Sequence, residues 1–202
     1  MEGKASVSKP SRKVPYKDLS TISKVDFEEQ IKLKLLVTET QSKTLADAII
    51  NAIASILISK KSLLLTGIGT LAVISKKSRM GRNPKNKEEF CIDERFSVTL
   101  RKGTTDTERL NKPEIIDTIS KLVPNLPVYK VKIAFEVLIT LIKSLAEGGM
   151  RIEIIGLGVF YPTHYPEREV RNPKTGEKII TPEKLLIRYR TSKRIKDEIN
   201  VQ

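Results

Sequence analysis

Cysteine and histidine each occur once in this chain, tryptophan is absent, and aromatic residues make up only 5% of 202 residues. The lone Cys91 excludes an intrachain disulfide and any cysteine-cluster metal site, and reads as a small apolar filler in a strand. His164, close to Tyr161 and Tyr165, reads as a packing or surface residue rather than a ligand or general base. Those tyrosines and Tyr189 are expected to pack rather than to stack on bases. Acidic residues are scattered and form no carboxylate cluster of the two-metal nuclease kind. The Gly-x-Gly pairs lack the spacing and acidic partner of a dinucleotide fingerprint, and the Gly-Lys-Ser/Thr ending of a P-loop. No catalytic constellation is left, so the chain is expected to be no enzyme and to need no cofactor. No apolar run approaches the roughly 20 residues that cross a bilayer. Met1–Lys17 has no apolar stretch of the secretory kind, so no signal and no membrane partner are expected.

Positive charge is what the chain has in excess. Lys and Arg number 37 against 24 Asp and Glu, a formal net charge of +13. Such a balance attracts polyanions, and its placement says which. Residues 1–24 carry Lys4, Lys9, Arg12, Lys13, Lys17 and Lys24 among Ser, Pro and Gly, and read as a mobile basic tail.

Beyond the tail the chain says the same thing twice. Gly67-Ile68-Gly69 and Arg82-Asn83-Pro84 recur as Gly156-Leu157-Gly158 and Arg171-Asn172-Pro173. Both offsets are 89 (156 − 67 and 171 − 82). Two motifs in one register argue for a duplicated unit. The expected division is repeat one over 25–110 and repeat two over 113–202, joined by a link around Arg109–Lys112 too short for two independently tumbling units.

Each repeat has the same order of patterns. Phe27, Ile31 and Leu35 mark a first helix with Asp26 as its N-cap. Leu45, Ala48, Ile49, Ala52, Ile53, Ile56 and Leu57 give the second, over 41–60, a broad apolar face. Leu63–Leu65 reads as a strand, the glycine pair as a tight turn, and 70–77 and 90–100 as an outgoing strand and its return. In the second repeat Pro113 suits a helix's first turn. Ala134, Val137, Leu138, Leu141 and Ile142 line the long helix over 129–145, with Glu147-Gly148-Gly149 as its C-cap. A short helix over 192–200 ends the chain.

Between the outgoing and returning strands lies an extended arm with Asn-Pro at its tip. The first arm carries Lys76, Lys77, Arg79, Arg82, Asn83, Pro84, Lys85 and Lys87. The second carries Arg168, Arg171, Asn172, Pro173, Lys174 and Lys178. Lysine and arginine on such a ribbon neutralise phosphates or sit in the narrow, negative minor groove. Proline is a rigid apolar wedge with no N–H to desolvate, and can enter between base steps.

The stretches LTGIGTLAVISKKSRMGRNPKNKEEF and EIIGLGVFYPTHYPEREVRNPKTGEKI resemble the HU/integration-host-factor family of DNA-bending proteins. The resemblance implies an α+β fold of two HU-like repeats, each with a helical body, a small antiparallel sheet and an extended β-arm. Family proteins assemble from two chains, so this chain is expected to be an intrachain pseudo-dimer, monomeric in solution. The resemblance makes Pro84 and Pro173 the wedges, and Arg82, Asn83, Arg171 and Asn172 adjacent arm contacts. It makes Lys193 and Lys196 phosphate contacts from the body, met in the first repeat only by Gly103-Thr104 and Thr107. The expected function is an architectural protein that bends and condenses double-stranded DNA with little sequence specificity. Its expected location is the cytoplasm, on the nucleoid, with a viral or organellar setting left open. The alternative is an HU-like scaffold turned to protein contact. Three departures set further expectations. Asn86-Lys87 replaces the family's Thr-Gly, so the first tip is expected to turn differently. Val170 stands where the first arm has Gly81, and Pro162 and Pro166 are expected to bend the second arm.

Overall fold

The structure is a computed structural model that describes residues 19–102, 108–147, 149–172 and 174–201. The first repeat runs β1 (Ser20–Ile22), α1 (Lys24–Leu35), α2 (Glu39–Ile58), β2 (Ser62–Leu65), β3 (Gly69–Lys76), β4 (Arg79–Arg82), β5 (Glu89–Ile92) and β6 (Arg95–Arg101). The second runs β7 (Arg109–Leu110), α3 (Lys112–Leu122), α4 (Val128–Ser144), β8 (Met150–Ile154), β9 (Gly158–Tyr165), β10 (Arg168–Arg171), β11 (Lys178–Thr181), β12 (Lys184–Thr191) and α5 (Lys193–Glu198). Strands β3, β4 and β5 map onto β9, β10 and β11 residue for residue at the offset of 89. The repeat is therefore structural as well as textual. Helix α5 has no counterpart among the described residues of the first repeat.

Local chemistry starts each helix. Ser23, not Asp26, is the N-cap of α1. Asp26 sits three residues in, where its carboxylate accepts the Ser23 N–H at 2.7 Å. That bond holds the Asp26 carboxyl below its usual range. Asn111 and Glu114 repeat the arrangement at α3, with Pro113 in the first turn. Thr38 caps α2 by accepting the Gln41 N–H. Helix α4 gives way to a 3-10 turn over Leu145–Glu147, and Gly149 follows with φ of 78°. The glycine pairs have a steric reason. Gly67 and Gly156 take positive φ, while a Cβ on Gly69 or Gly158 would lie 2.5 or 2.3 Å from the Arg101 or Arg190 carbonyl oxygen.

One hydrophobic core serves both repeats. Phe27, Ile49, Ile53 and Leu57 of the first share it with Phe135, Leu138, Ile142 and Phe160 of the second. Helix α2 is buried on most of its circumference because it touches α1, α3, α4, α5 and β2. Burying a side chain of this size contributes about 1.5–3 kcal/mol, so neither half is complete without the other.

The sheets show the same interdependence. One four-stranded sheet has the order β6-β3-β2-β7, the other β1-β8-β9-β12. Strand β7 follows β1 at the repeat offset of 89 (109 − 20), so it opens the second repeat rather than closing the first as the 25–110 division has it; it pairs in parallel with β2 of the first. Strand β1, which opens the first repeat, pairs in parallel with β8 of the second. The repeats thus exchange strands reciprocally. This corrects two expectations. Ser20–Ile22 and Lys24 belong to the folded body rather than to a tail over 1–24, and residues 109–110 of the link are a strand. Residues 1–18 lie outside the described residues, as do Gly103, Thr104 and Thr107. Two further contacts tie the halves. Thr191 Oγ1 donates to the Val98 carbonyl at 3.4 Å, and Asn200 brackets Phe96, accepting its N–H at 2.7 Å and donating to its carbonyl at 3.2 Å.

Candidate nucleic-acid interface

Two isolated ribbons project from the sheets. In the first, β4 pairs with β5 from Arg79↔Ile92 to Arg82↔Glu89. In the second, β10 pairs with β11 from Arg168↔Thr181 to Arg171↔Lys178. Neither ribbon is hydrogen-bonded to a sheet of the body.

The tips are built by one set of bonds. In the first, the Asn83 N–H donates to the Glu88 carbonyl, and Asn83 Oδ1 accepts the Lys85 N–H at 3.0 Å. The Lys87 N–H returns to the Asn83 carbonyl, and Arg82 Nε donates to the Lys87 carbonyl at 2.8 Å. In the second, Asn172 bonds Glu177 and Lys174, the Gly176 N–H returns to the Asn172 carbonyl, and Arg171 Nε donates to the Gly176 carbonyl at 2.9 Å. The arginine and asparagine of each motif thus tie the turn that carries the proline. Each arginine keeps its terminal nitrogens for other partners.

This corrects the expectation that Asn86-Lys87 would change the first turn. Lys87 takes φ of 61° where Gly176 takes 74°. Asn86 Oδ1 accepts the Glu88 N–H, as Thr175 Oγ1 accepts that of Glu177. A lysine in that left-handed conformation costs about 1–2 kcal/mol, which the shared bonds offset.

Nor do the prolines distort the second arm. Strand β9 pairs with β12 along its whole length, with Pro162 opposite Ile187. Its other edge is paired with β8 only as far as Phe160, so Pro162 has one edge free of a ladder. Pro166 lies in a two-residue break before β10, and the first arm has the same break at Lys77-Ser78. The break therefore does not come from proline.

Arg79, Arg82, Pro84, Lys85, Lys87, Arg168, Arg171, Lys174 and Lys178 are exposed on the arms, with Lys76 and Lys77 at the first arm's base. Asn83 and Asn172 are half-buried in their turns. Pro173 lies outside the described residues. Among the described arm cations only Lys178 is held in an ion pair, with Glu169 at 2.8 Å, a bond that raises its pKa. The others keep their charge for a polyanion.

The body brings further cations together across the halves. A cleft of about 660 Å³ is lined by Lys76 and Arg95 from the first repeat and by Arg190, Lys193 and Lys196 from the second. Lys193 and Lys196 are presented by α5, whose N-cap Ser192 accepts the Ile195 N–H. Sequence reasoning missed Arg95, Arg188 and Arg190. For Arg188 and Arg190 the signal was the alternation in KLLIRYRT, which puts Lys184, Leu186, Arg188 and Arg190 on one face and Ile187 and Tyr189 on the other; Arg95, at the start of β6, had no such pattern.

Tyr189 packs, as expected. It is buried against Phe160 with ring centroids 4.7 Å apart, and its hydroxyl donates to the Leu157 carbonyl at 2.7 Å. Burial pushes its phenol up. Tyr165 is taken up by Arg188, whose guanidinium donates to its hydroxyl. Cys91 differs from expectation: it lies in β5 but is exposed, because a two-stranded ribbon has no core to fill. No helix among the described residues is long and apolar enough to cross a membrane.

Known proteins share this unit. The chain is similar to the beta subunit of integration host factor from Methylococcus capsulatus, 33% identical over 91 residues, covering 45% of this chain and 96% of that one. It is similar to the alpha subunit from Sinorhizobium medicae, 30% identical over 107 residues, covering 53% of this chain and 95% of that one. Among solved structures it matches an Anabaena HU–DNA cocrystal structure at 22% identity and a TM-score of 0.39, covering 45% of this chain and 97% of that one. The family model described as "Bacterial DNA-binding protein" matches residues 22–111 and again residues 110–200. With both repeats matched, the chain belongs to the HU/integration-host-factor family of architectural DNA-binding proteins and carries two of the family's units in tandem.

Proposed function

We propose that this chain is a single-chain clamp that bends double-stranded DNA, with both arms in the minor groove and Pro84 and Pro173 as wedges. One observation carries the reading: two tips of the same construction, each ending an exposed cationic ribbon, rise from one shared body. Recognition is by phosphate and shape, with little sequence specificity. Smooth bending of a site costs on the order of 1–6 kcal/mol, and contacts from the second arm offset it. Neutralising about 6 phosphates gives log K a slope near −5 against log salt. Helix α5 supplies Lys193 and Lys196 from the second repeat, where the first has Thr104 and Thr107 in the same register, so the clamp is asymmetric. The chain acts as a monomer, because its two repeats supply each other's missing strand, and it associates with the nucleoid.

An irregular second arm would favour a protein-interaction module instead, whereas β10–β11 pairs as regularly as β4–β5. The test is energy transfer between the ends of a short labelled duplex, titrated with protein at several salt concentrations. A saturable, salt-sensitive rise is expected, and Pro84→Ala with Pro173→Ala should lower the transfer at saturation more than the affinity. Binding without any rise refutes bending. Equal transfer in the double variant refutes the wedges.

A further inference from the structure

Each arm leaves its sheet through a gap in the ladder on both strands. Lys77-Ser78 and Asp93-Glu94 are unpaired at the base of the first arm, and Pro166-Glu167 and Pro182-Glu183 at the base of the second. Main-chain bonds hold each arm together and each sheet together, but the ladders stop on either side of the gap. Side chains reach into it from the sheet, each bonding the gap residue that adjoins the sheet and so shortening the free segment at the arm's base. Ser75 Oγ, near the end of β3, donates to Glu94 Oε1 at 2.6 Å. His164 Nε2, near the end of β9, lies 2.6 Å from Glu183 Oε1.

These pairs occupy one register: 164 − 89 is 75 and 183 − 89 is 94. The partner residue differs between repeats, serine in one and histidine in the other, yet the contact is kept. A carboxylate beside a DNA-embracing arm opposes the phosphates it meets. A glutamate at both bases, turned toward a neighbouring side chain each time, therefore calls for a structural reason.

We infer that Ser75–Glu94 and His164–Glu183 are clasps that fix the angle between each arm and its sheet, and that these four are positioning residues for the bend. An arm free to swing must lose that freedom on binding, whereas a clasped arm has already lost it. An exposed charge-assisted bond of this kind shifts the clasped-to-open ratio about two- to fivefold, enough to broaden the arm's directions without unfolding it. The effect on bending rests on the function proposed above; the effect on arm angle does not.

The test reads the two separately. Cys91, the only cysteine, is an exposed native label site on the first arm. Its counterpart on the second arm is the exposed Ile180, labelled as Ile180→Cys in a Cys91→Ser background. Pulsed dipolar resonance to a second nitroxide on α2, at Thr40→Cys, gives a distance distribution for each arm of the full chain without DNA. Ser75→Ala should broaden the first arm's distribution alone, and Ser75→Thr, which keeps the hydroxyl, should restore it. His164→Ala at pH 8 should broaden only the second arm's. Unchanged widths in both alanine variants overturn the clasps. Broader widths with unaltered energy transfer on the bound duplex overturn their role in bending. A parent chain that gives no transfer defeats the function proposed above, while the widths still decide the clasps.

Discussion

Replacing Arg82 and Arg171 by lysine keeps both positive charges and removes both Nε–H groups, so it separates tip construction from phosphate neutralisation. Arg82 Nε lies 2.8 Å from the Lys87 carbonyl oxygen, and Arg171 Nε lies 2.9 Å from that of Gly176. A lysine ammonium is a compact point charge without the planar fork that fits this turn. Each lost bond costs about 0.5–1 kcal/mol at such an exposed position. If bound DNA needs both turns closed, the double variant loses about 1–2 kcal/mol, or roughly five- to thirtyfold in affinity. Its salt dependence stays unchanged because no charge is lost. Arg82→Gln with Arg171→Gln loses the same bonds and two charges, so its slope becomes shallower by about 1.8. Fluorescence anisotropy with a short duplex over a potassium chloride series measures both quantities. A lysine variant that binds as tightly as the parent, or one with a shallower slope, would refute the tip-building role.

Three other expectations follow from the geometry. Lys87→Gly removes the positive-φ cost in the first tip and should slow hydrogen exchange of the Asn83 and Lys87 amides by about a factor of five or more; faster exchange there would contradict the conformation. A chain ended at Lys102 lacks β7 and β8, leaving β2 of one copy to accept β1 of another; sedimentation should show a two-chain assembly, and a folded monomer would count against the strand exchange. Asp26→Ala should cost about 0.3–1 kcal/mol near neutral pH. The Asp26 carboxyl is held below its unfolded value, so its contribution is present above that value and fades as pH falls through the lower folded one. Urea melts of parent and variant should therefore converge in acid, and a gap that persists when the carboxyl is protonated would deny the charge a role.

The features legible in the sequence were those made by neighbouring residues. The tip is an example: an asparagine side chain, a proline and a left-handed position lie within six residues, and repetition at a fixed offset confirmed that they belong together. The same locality explains one misjudgement. The change from Thr-Gly to Asn-Lys looked disruptive, yet Asn86 offers the same acceptor as Thr175 and Lys87 tolerates the same backbone. Strands β1 and β7 could not be read, because three and two residues carry no period and owe their conformation to partners in the other repeat. Arg188 and Arg190 were visible in a period-two pattern but overshadowed by the denser charge of the arms. The Ser75–Glu94 and His164–Glu183 pairs stayed hidden, since they depend on how far the ladder runs before it breaks.

The strand exchange also sets an order of events during synthesis. Ser62 meets Arg109 only 47 residues later, so β7 can close the first sheet as soon as it leaves the ribosome. Ser20 must wait for Met150, 130 residues downstream. At about 5–20 residues per second, that is a delay of roughly 7–26 seconds during which β1 is without its partner. The earliest segment of the folded body to be translated is thus among the last to find its place, and the nascent chain must be kept from pairing that strand with a neighbouring copy on the same message.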